Sequence, residues 1–348
     1  MTMPTTTAKP LLAAYARQPL ERPPVWLFRQ AGRYLPEYQK VRKSAGGFLG
    51  MAQNPELAAE VTLQPVRRFG VDAAILFSDI LLPLQAMGMP LRFDEGVGPV
   101  LPEPLDSPAR IDALKPLDPA ADLGYVGDAL RLVREGLSDD KTLLGFCGAP
   151  YTLACYAVQG GHAKSHARLR QLMHHDPARF DQLMGALADA VGVHLAYQLD
   201  SGADAVVLFD TWAGTLSRED YLTRVLPFSQ RALAPVLGKA PVMAFVLDGA
   251  HVLDAVVDTG VNAVAVDWRV DLPDVLDRFG DRVAVQGNLD PALLLAPPAE
   301  VYARTKALLE RVGGRPGHVL ALGHGVMKET DPESVAAFVA AARGAPAP

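Results

Sequence analysis

Arg29 and Arg33 stand four residues apart in "FRQAGRYLPEY" (residues 28–38), at the end of an apolar run and with no acid between them. Guanidinium forks match carboxylates or phosphates in bidentate fashion. In helical geometry, like charges at this spacing repel unless an anion lies between them. The pair therefore calls for an anionic ligand, or for rim acids such as Asp210 or Asp248, and Gly32 between the two offers the backbone a path closed to other residues. The positive island is wider than the pair. From Glu21 to Lys43, Arg22, Arg29, Arg33, Lys40, Arg42 and Lys43 meet only Glu21 and Glu37. That is a surplus of four positive charges in a chain of formal net charge -6, so the remainder carries ten negative ones. A local island in an acidic chain points to a specific anionic ligand, and the overall acidity argues against a nucleic-acid partner.

Other residues with chemical potential sit beside glycine and proline breaks. Asp79 in "LFSDILLP" is placed to accept hydrogen bonds from ligand N–H groups or to stabilise a developing cation; capping the next helix is the competing use. "GFCGAPYTLACY" breaks at Gly148 and Pro150 and then offers Thr152 and Tyr156, while "FDTWAG" and "LGHGV" set Asp210, Thr211 and His324 beside glycines. Dinucleotide, Walker, zincin and nucleophile-elbow motifs are all missing. His162 and His166 in "HAKSH" have a metal-compatible spacing, but their polar flanks read as a solvated helix face. Cys147 and Cys155 read as buried thiols with no disulfide framework. What remains is a cofactor-free enzyme that uses arginines and one aspartate.

Such residues need a scaffold, and 348 residues of which 49% are hydrophobic supply one. No apolar stretch reaches the roughly 20 residues of a membrane helix, and "MTMPTTTAKP" lacks the features of a signal peptide, so a cytoplasmic protein with no membrane partner is expected. Eight short β-rich runs recur, at 24–28, 73–77, 143–147, 205–209, 241–247, 263–266, 283–286 and 318–322. Their lack of strict alternation fits strands buried on both faces. Helical patterns separate them, among them 177–203, 218–237 and 298–314. The order predicts a single-domain (β/α)8 barrel over residues 11–343, with a doubly wound sheet as the runner-up. "GMPLRFDEGVGPVLPEP" predicts a hairpin inserted around Glu95 and Gly96, and residues 1–10 and 344–348 are expected to fray. Barrel chemistry belongs at the C-terminal strand ends. Arg29, Arg33, Ser78, Asp79, Gly148, Tyr151, Asp210, Thr211, Asp248, Asp267, Asn288 and His324 all fall there.

Taken together, "RQAGRYLPEY", "FSDIL", "GFCGAPYTLACY", "FDTWAG", "QGNLDP" and "LGHG" make the sequence resemble the uroporphyrinogen decarboxylase family from about Leu11 to Arg343. The resemblance implies a distorted (β/α)8 barrel, a homodimer with facing clefts, and removal of CO2 from the four acetate side chains of uroporphyrinogen III. The product is coproporphyrinogen III in heme biosynthesis, with no cofactor or metal. It also implies that Arg29, Arg33 and Arg42 meet substrate carboxylates and that Asp79 binds the pyrrole N–H groups, with Arg29 and Asp79 as the catalytic pair. Tyr156, Thr211 and His324 match cleft positions, and Gln30 and Phe209 resemble cleft-lining residues. Phe28, Tyr151, Thr211 and Ala321 depart from the family's usual methionine, tryptophan or phenylalanine, serine and asparagine. Methyltransferases on the same barrel use histidine and thiolate zinc ligands spaced H-x-C, and no histidine lies two residues before either cysteine.

Overall fold

The computed structural model describes residues 9–163 and 165–346. Nine strands follow in chain order among them: β1 (Ala73–Ile75), β2 (Arg92–Asp94), β3 (Gly98–Val100), β4 (Thr142–Gly148), β5 (Ala205–Asp210), β6 (Val242–Val246), β7 (Ala263–Ala265), β8 (Ala284–Leu289) and β9 (His318–Leu322). β1 and β4 to β9 form one parallel sheet whose spatial order is the chain order, which rules out the doubly wound alternative.

Seven of the eight expected runs become strands of this sheet. The first, 24–28, is reduced to one parallel bridge between Val25 and Leu320 of β9. Leu320 N–H donates to the Pro24 carbonyl at 2.9 Å and Asp72 N–H donates to the Val25 carbonyl at 2.8 Å, so the segment fills the gap between β9 and β1 and closes the ring. Its brevity has a plain cause. Pro23 and Pro24 have no N–H with which to extend a ladder, and the chain turns away at Phe28–Arg29.

Side chains alternate across the barrel wall. Leu144, Val207, Met243, Phe245 and Val319 point inward with Trp26 and Phe28, whereas Leu143, Cys147, Val206, Leu208 and Val242 pack outward under the helices. Both faces are dry, as the unbroken apolar runs require. The helix Pro10–Tyr15 plugs the N-terminal end with Leu11, Ala14 and Tyr15, and the Tyr15 hydroxyl donates to Met243 Sδ at 3.5 Å. Of the ends expected to fray, residues 1–8 and 347–348 lie outside the described residues. Lys9 and Ala345 are tied in, through an ion pair to Asp204 and a hydrogen bond from Tyr302.

Two aspartates lock the same end. Asp72 takes a bidentate fork from Arg22 at 2.7 and 2.8 Å, the Val25 N–H at 2.8 Å and Lys141 at 3.5 Å. Burial alone would raise its carboxyl, but the Arg22 fork and the Val25 N–H hold it below the ordinary value. Asp204, just before β5, takes Lys9 at 2.6 Å, Arg134 at 2.7 Å and the Leu143 N–H at 2.7 Å.

The helix expected at 177–203 spans Pro177–Asp200, with the Asp176 carboxylate accepting the Arg179 N–H as its cap. The one expected at 218–237 is instead segmented: Arg218–Asp220, a π turn at Tyr221–Val225, then Leu226–Leu233. Pro227 has no N–H for the preceding turn, and the ladder widens to accommodate it. The expected hairpin forms, with Arg92 opposite Val100 and Gly96 at φ 76° in its turn. Val100 then bridges Gly161, and Phe93 packs on Phe48 at 4.6 Å, which fastens the hairpin to the loop at 160–161 and to the arginine-bearing segment.

Candidate active site

Arg29 follows Leu27 and Phe28 out of the barrel and has φ 57°, a left-handed conformation that costs a non-glycine residue about 1 kcal/mol or more. Gln30 holds this turn. Its side-chain oxygen accepts the Leu27 N–H at 3.1 Å and its amide donates to the Ala73 carbonyl of β1 at 3.0 Å, while its own carbonyl accepts the Tyr34 hydroxyl at 2.7 Å. The buried Gln30 side chain thus faces the wall and not the cleft, contrary to the expectation of a lining residue. The special backbone sits at Arg29 and not at Gly32, and residues 29–33 form successive turns, not a helix.

The exposed Arg29 side chain runs along Gly325 of "LGHGV". A β-carbon at 325 would lie 2.6 Å from Arg29 Cδ, so only glycine leaves the arginine its path. Arg33 is exposed one turn on, and Arg42 lies in the last turn of the helix Pro36–Ser44; both approach the Tyr38 phenol closely enough to affect it. None of the ion pairs among the described residues uses Arg29, Arg33 or Arg42, and the rim acids proposed as partners are engaged elsewhere.

Asp79 follows β1, half-buried. One carboxylate oxygen accepts the Leu81 N–H at 2.8 Å, fixing the turn that leads into the helix Leu82–Ala86 without capping it, and the other accepts nothing from the described residues. Burial raises its pKa to about 6, against the opposing pull of the Leu81 N–H and of Arg29. Arg29 also acts electrostatically on Tyr156 and on His324, so these four residues lie near one another at the mouth. Burial and the charge of Arg29 lower the His324 pKa to about 4, which leaves the imidazole neutral at physiological pH.

The floor is aromatic. Phe209 meets Phe28 at 5.0 Å and Phe146 at 5.7 Å, and Phe245 meets Phe28 at 5.1 Å and His324 at 6.0 Å. Thr211 is half-buried at the end of β5, next to Trp212, whose ring stands 6.2 Å from Tyr156.

Several features escaped the sequence reading. Asp267 knits two strand ends, accepting the Asp248 N–H at 2.6 Å and the Arg269 N–H at 2.9 Å, and Arg269 pairs with it at 3.4 Å while lying 4.5 Å over Trp268. Asn288 donates to the carbonyls of Asp267 and Val270, a structural use. Ala321 is fully enclosed opposite Asn288 in the β8–β9 register. His166 is not on a solvated helix face: it is buried, precedes the helix Ala167–His175, and lies 4.6 Å from Trp212. Cys147 and Cys155, by contrast, are the buried free thiols the sequence led one to expect, and burial pushes both far above their ordinary values. Among the described residues no three of His, Cys, Asp and Glu come together as a metal site.

Fold and mouth define a parallel α/β barrel with cationic and carboxylate groups at its C-terminal end. A methyltransferase from Methanosarcina mazei has the same fold, with a TM-score of 0.81 and 20% identity covering 98% of both chains. A putative vitamin-B12-independent methionine synthase from Listeria monocytogenes aligns with a TM-score of 0.53 and 12% identity over 83% of this chain and 86% of its own. These likenesses establish the fold alone. The sequence profile "Uroporphyrinogen decarboxylase (URO-D)" matches residues 6–345, and the chain belongs to that family. Uroporphyrinogen decarboxylase from Idiomarina loihiensis is 45% identical over 346 residues, 98% of this chain and 97% of that one. The Methylococcus capsulatus enzyme of that name is 46% identical over 334 residues, 95% of each.

Proposed function

We propose that this protein removes CO2 from the acetate side chains of uroporphyrinogen, leaving methyl groups. The observation that carries the reading is Arg29, in no ion pair among the described residues and within electrostatic reach of Asp79, Tyr156 and His324. Family membership supports it.

A substrate bearing many carboxylates supplies the anions that Arg29, Arg33 and Arg42 lack. The unpaired oxygen of Asp79 then accepts pyrrole N–H groups. Protonation of a ring carbon beside the acetate gives a cation, and the departing carboxylate's C–C bond electrons flow into it. CO2 leaves, a proton adds to the exocyclic carbon, and loss of the ring proton restores the pyrrole, with one net proton taken up per CO2. The ring is its own electron sink, so neither a metal nor a cofactor is needed. The Asp79 anion stabilises the cation, an interaction stronger in the transition state than in the ground state. Guanidinium groups are poor acids near neutral pH, so Arg29 serves to position the carboxylate. Tyr156, Phe209, Thr211 and the neutral His324 line the remaining cleft, and Gln30 sets the Arg29 turn.

The finer reading has isomer III losing four acetates to give coproporphyrinogen III, in a cytoplasmic homodimer whose clefts face each other, with residues 11–343 as one catalytic domain. The test is anaerobic incubation of the purified protein with uroporphyrinogen III, without added metal or cofactor, followed by oxidation and separation of porphyrins by carboxyl count. Stepwise passage from eight to four carboxylates is expected. Unchanged octacarboxylate with measurable binding would overturn the reading in favour of a tetrapyrrole carrier.

A further inference from the structure

β5 ends in Asp210, which is 3% exposed and takes part in none of the ion pairs among the described residues. Its Oδ1 accepts the Thr152 hydroxyl at 2.7 Å, while Oδ2 is enclosed without a partner. Thr152 is itself fully buried in the first turn of the helix Pro150–Gln159. A hydroxyl has one hydrogen to give, and here it goes to Asp210. The oxygen is left to accept, and it takes the backbone N–H of Trp212 at 3.2 Å. Carboxyl, hydroxyl and amide thus form a directed relay whose far end is the main chain at the cleft wall.

That main chain carries a ring packed mainly against other rings. The Trp212 indole lies 6.2 Å from Tyr156 and is flanked by His162 at 5.6 Å and His166 at 4.6 Å. Its Nε1 and both nitrogens of His166 are buried without hydrogen-bond partners among the described residues. Ring packing alone leaves an indole free to slide, so its placement falls to the main chain, whose N–H is held by Thr152 and whose carbonyl accepts the Thr215 hydroxyl at 2.7 Å and N–H at 3.2 Å. Tyr156, four residues and one turn further along the helix that bears Thr152, packs on that indole.

We infer that Asp210, acting through Thr152, is a positioning residue: it sets the Trp212 main chain and, by way of the indole, the face that Tyr156 presents to substrate. Asp210 does not touch substrate. Its carboxyl works as a hydrogen-bond acceptor, and its charge is not required. The unpaired Oδ2 supports this, because the second oxygen holds nothing that a neutral amide would lose. Tyr151, with a buried and unpartnered hydroxyl, and Cys155 both lie near enough to feel the carboxylate, and burial raises the Asp210 pKa to about 7.

The activity readout rests on the proposed decarboxylation; a spectral readout does not. Labelling with 5-fluorotryptophan gives resonances for Trp26, Trp212 and Trp268, and Trp212→Phe assigns the one that matters. Thr152→Val keeps the shape and removes the hydroxyl. It should shift or broaden the Trp212 resonance while leaving the other two in place, and lower kcat/KM about tenfold to a hundredfold. Asp210→Ala should do the same. Thr152→Ser and Asp210→Asn should restore the wild-type spectrum and bring kcat/KM back to within about threefold. A Thr152→Val protein that matches Thr152→Ser in both readouts would overturn the relay. An Asp210→Asn protein as damaged as Asp210→Ala would show that charge, not acceptance, is what counts, and would overturn it too. Should the wild type leave uroporphyrinogen unchanged, the proposed function fails and the fluorine spectra alone decide on the relay.

Discussion

The two ends of the barrel treat their charged groups in opposite ways. At the N-terminal end, Asp72 and Asp204 each take two cations and a backbone N–H. At the C-terminal mouth, Asp267 is paired with Arg269 and takes two backbone N–H groups, but Asp79 takes one backbone N–H and Asp210 one hydroxyl, while Arg29, Arg33 and Arg42 take no protein carboxylate among the described residues. Pairing at one end closes the ring. Imbalance at the other leaves binding energy for a ligand, and it is where a barrel keeps its chemistry.

The sign of each aspartate's contribution to stability follows. Asp72 has a lowered pKa, so its stabilisation is present above the unfolded value near 3.8 and is lost as pH falls through the lower native value. Asp79 has a raised pKa, so the folded state favours its neutral form. Its contribution is greatest below the unfolded value and is lost as pH rises through about 6.

The largest expected effect lies at the closed end. Asp72→Ala should cost about 3 kcal/mol in urea unfolding, at the low end for breaking a buried pair because Arg22 keeps access to water, while kcat of the folded fraction stays near normal. Asp79→Asn should do the reverse, lowering kcat about 10²–10³-fold and raising the melting temperature at pH 8. Near-normal turnover in that variant would remove the role given to Asp79 and much of the contrast. The wild-type kcat/KM should fall as pH drops through about 6, reaching about a tenth of its plateau one unit lower. A limb near pH 4 would move the critical ionisation from Asp79 to His324 or to the substrate carboxylates. The smallest effect is Arg33→Gln, expected to raise KM up to about tenfold with little change in kcat. The increment should shrink in high salt, because the arginine is exposed.

Much of this was legible along the chain. Strands buried on both faces announce themselves as unbroken apolar runs, and their ends located Arg29, Asp79, Thr211 and His324 without any contact information. The local hairpin around Gly96 was readable for the same reason: its partners are neighbours in sequence. What was not legible depends on residues far apart. The burial of His166 needs Trp212, and its polar flanks gave the opposite impression. Gly325 looked like one glycine among others until Arg29 was found lying on it. Gln30 has the composition of a ligand contact, and only the Ala73 carbonyl across the gap shows it to be a wall fastener. The shortened first strand is a different case, since Pro23 and Pro24 state its cause openly.

The bridge from Val25 to Leu320 also has a consequence for how the molecule is made. The segment that aims Arg29 leaves the ribosome well before its neighbour in the ring and Gly325, which are translated some 295 residues later. At about 5–20 residues per second, that is a wait of roughly 15–60 s. Through it, Trp26 and Phe28 have no barrel to enter, and the positive island has no fixed geometry. A nascent chain stalled before residue 318 therefore carries both catalytic groups and every cleft residue proposed here except His324, and yet has no site in which to use them.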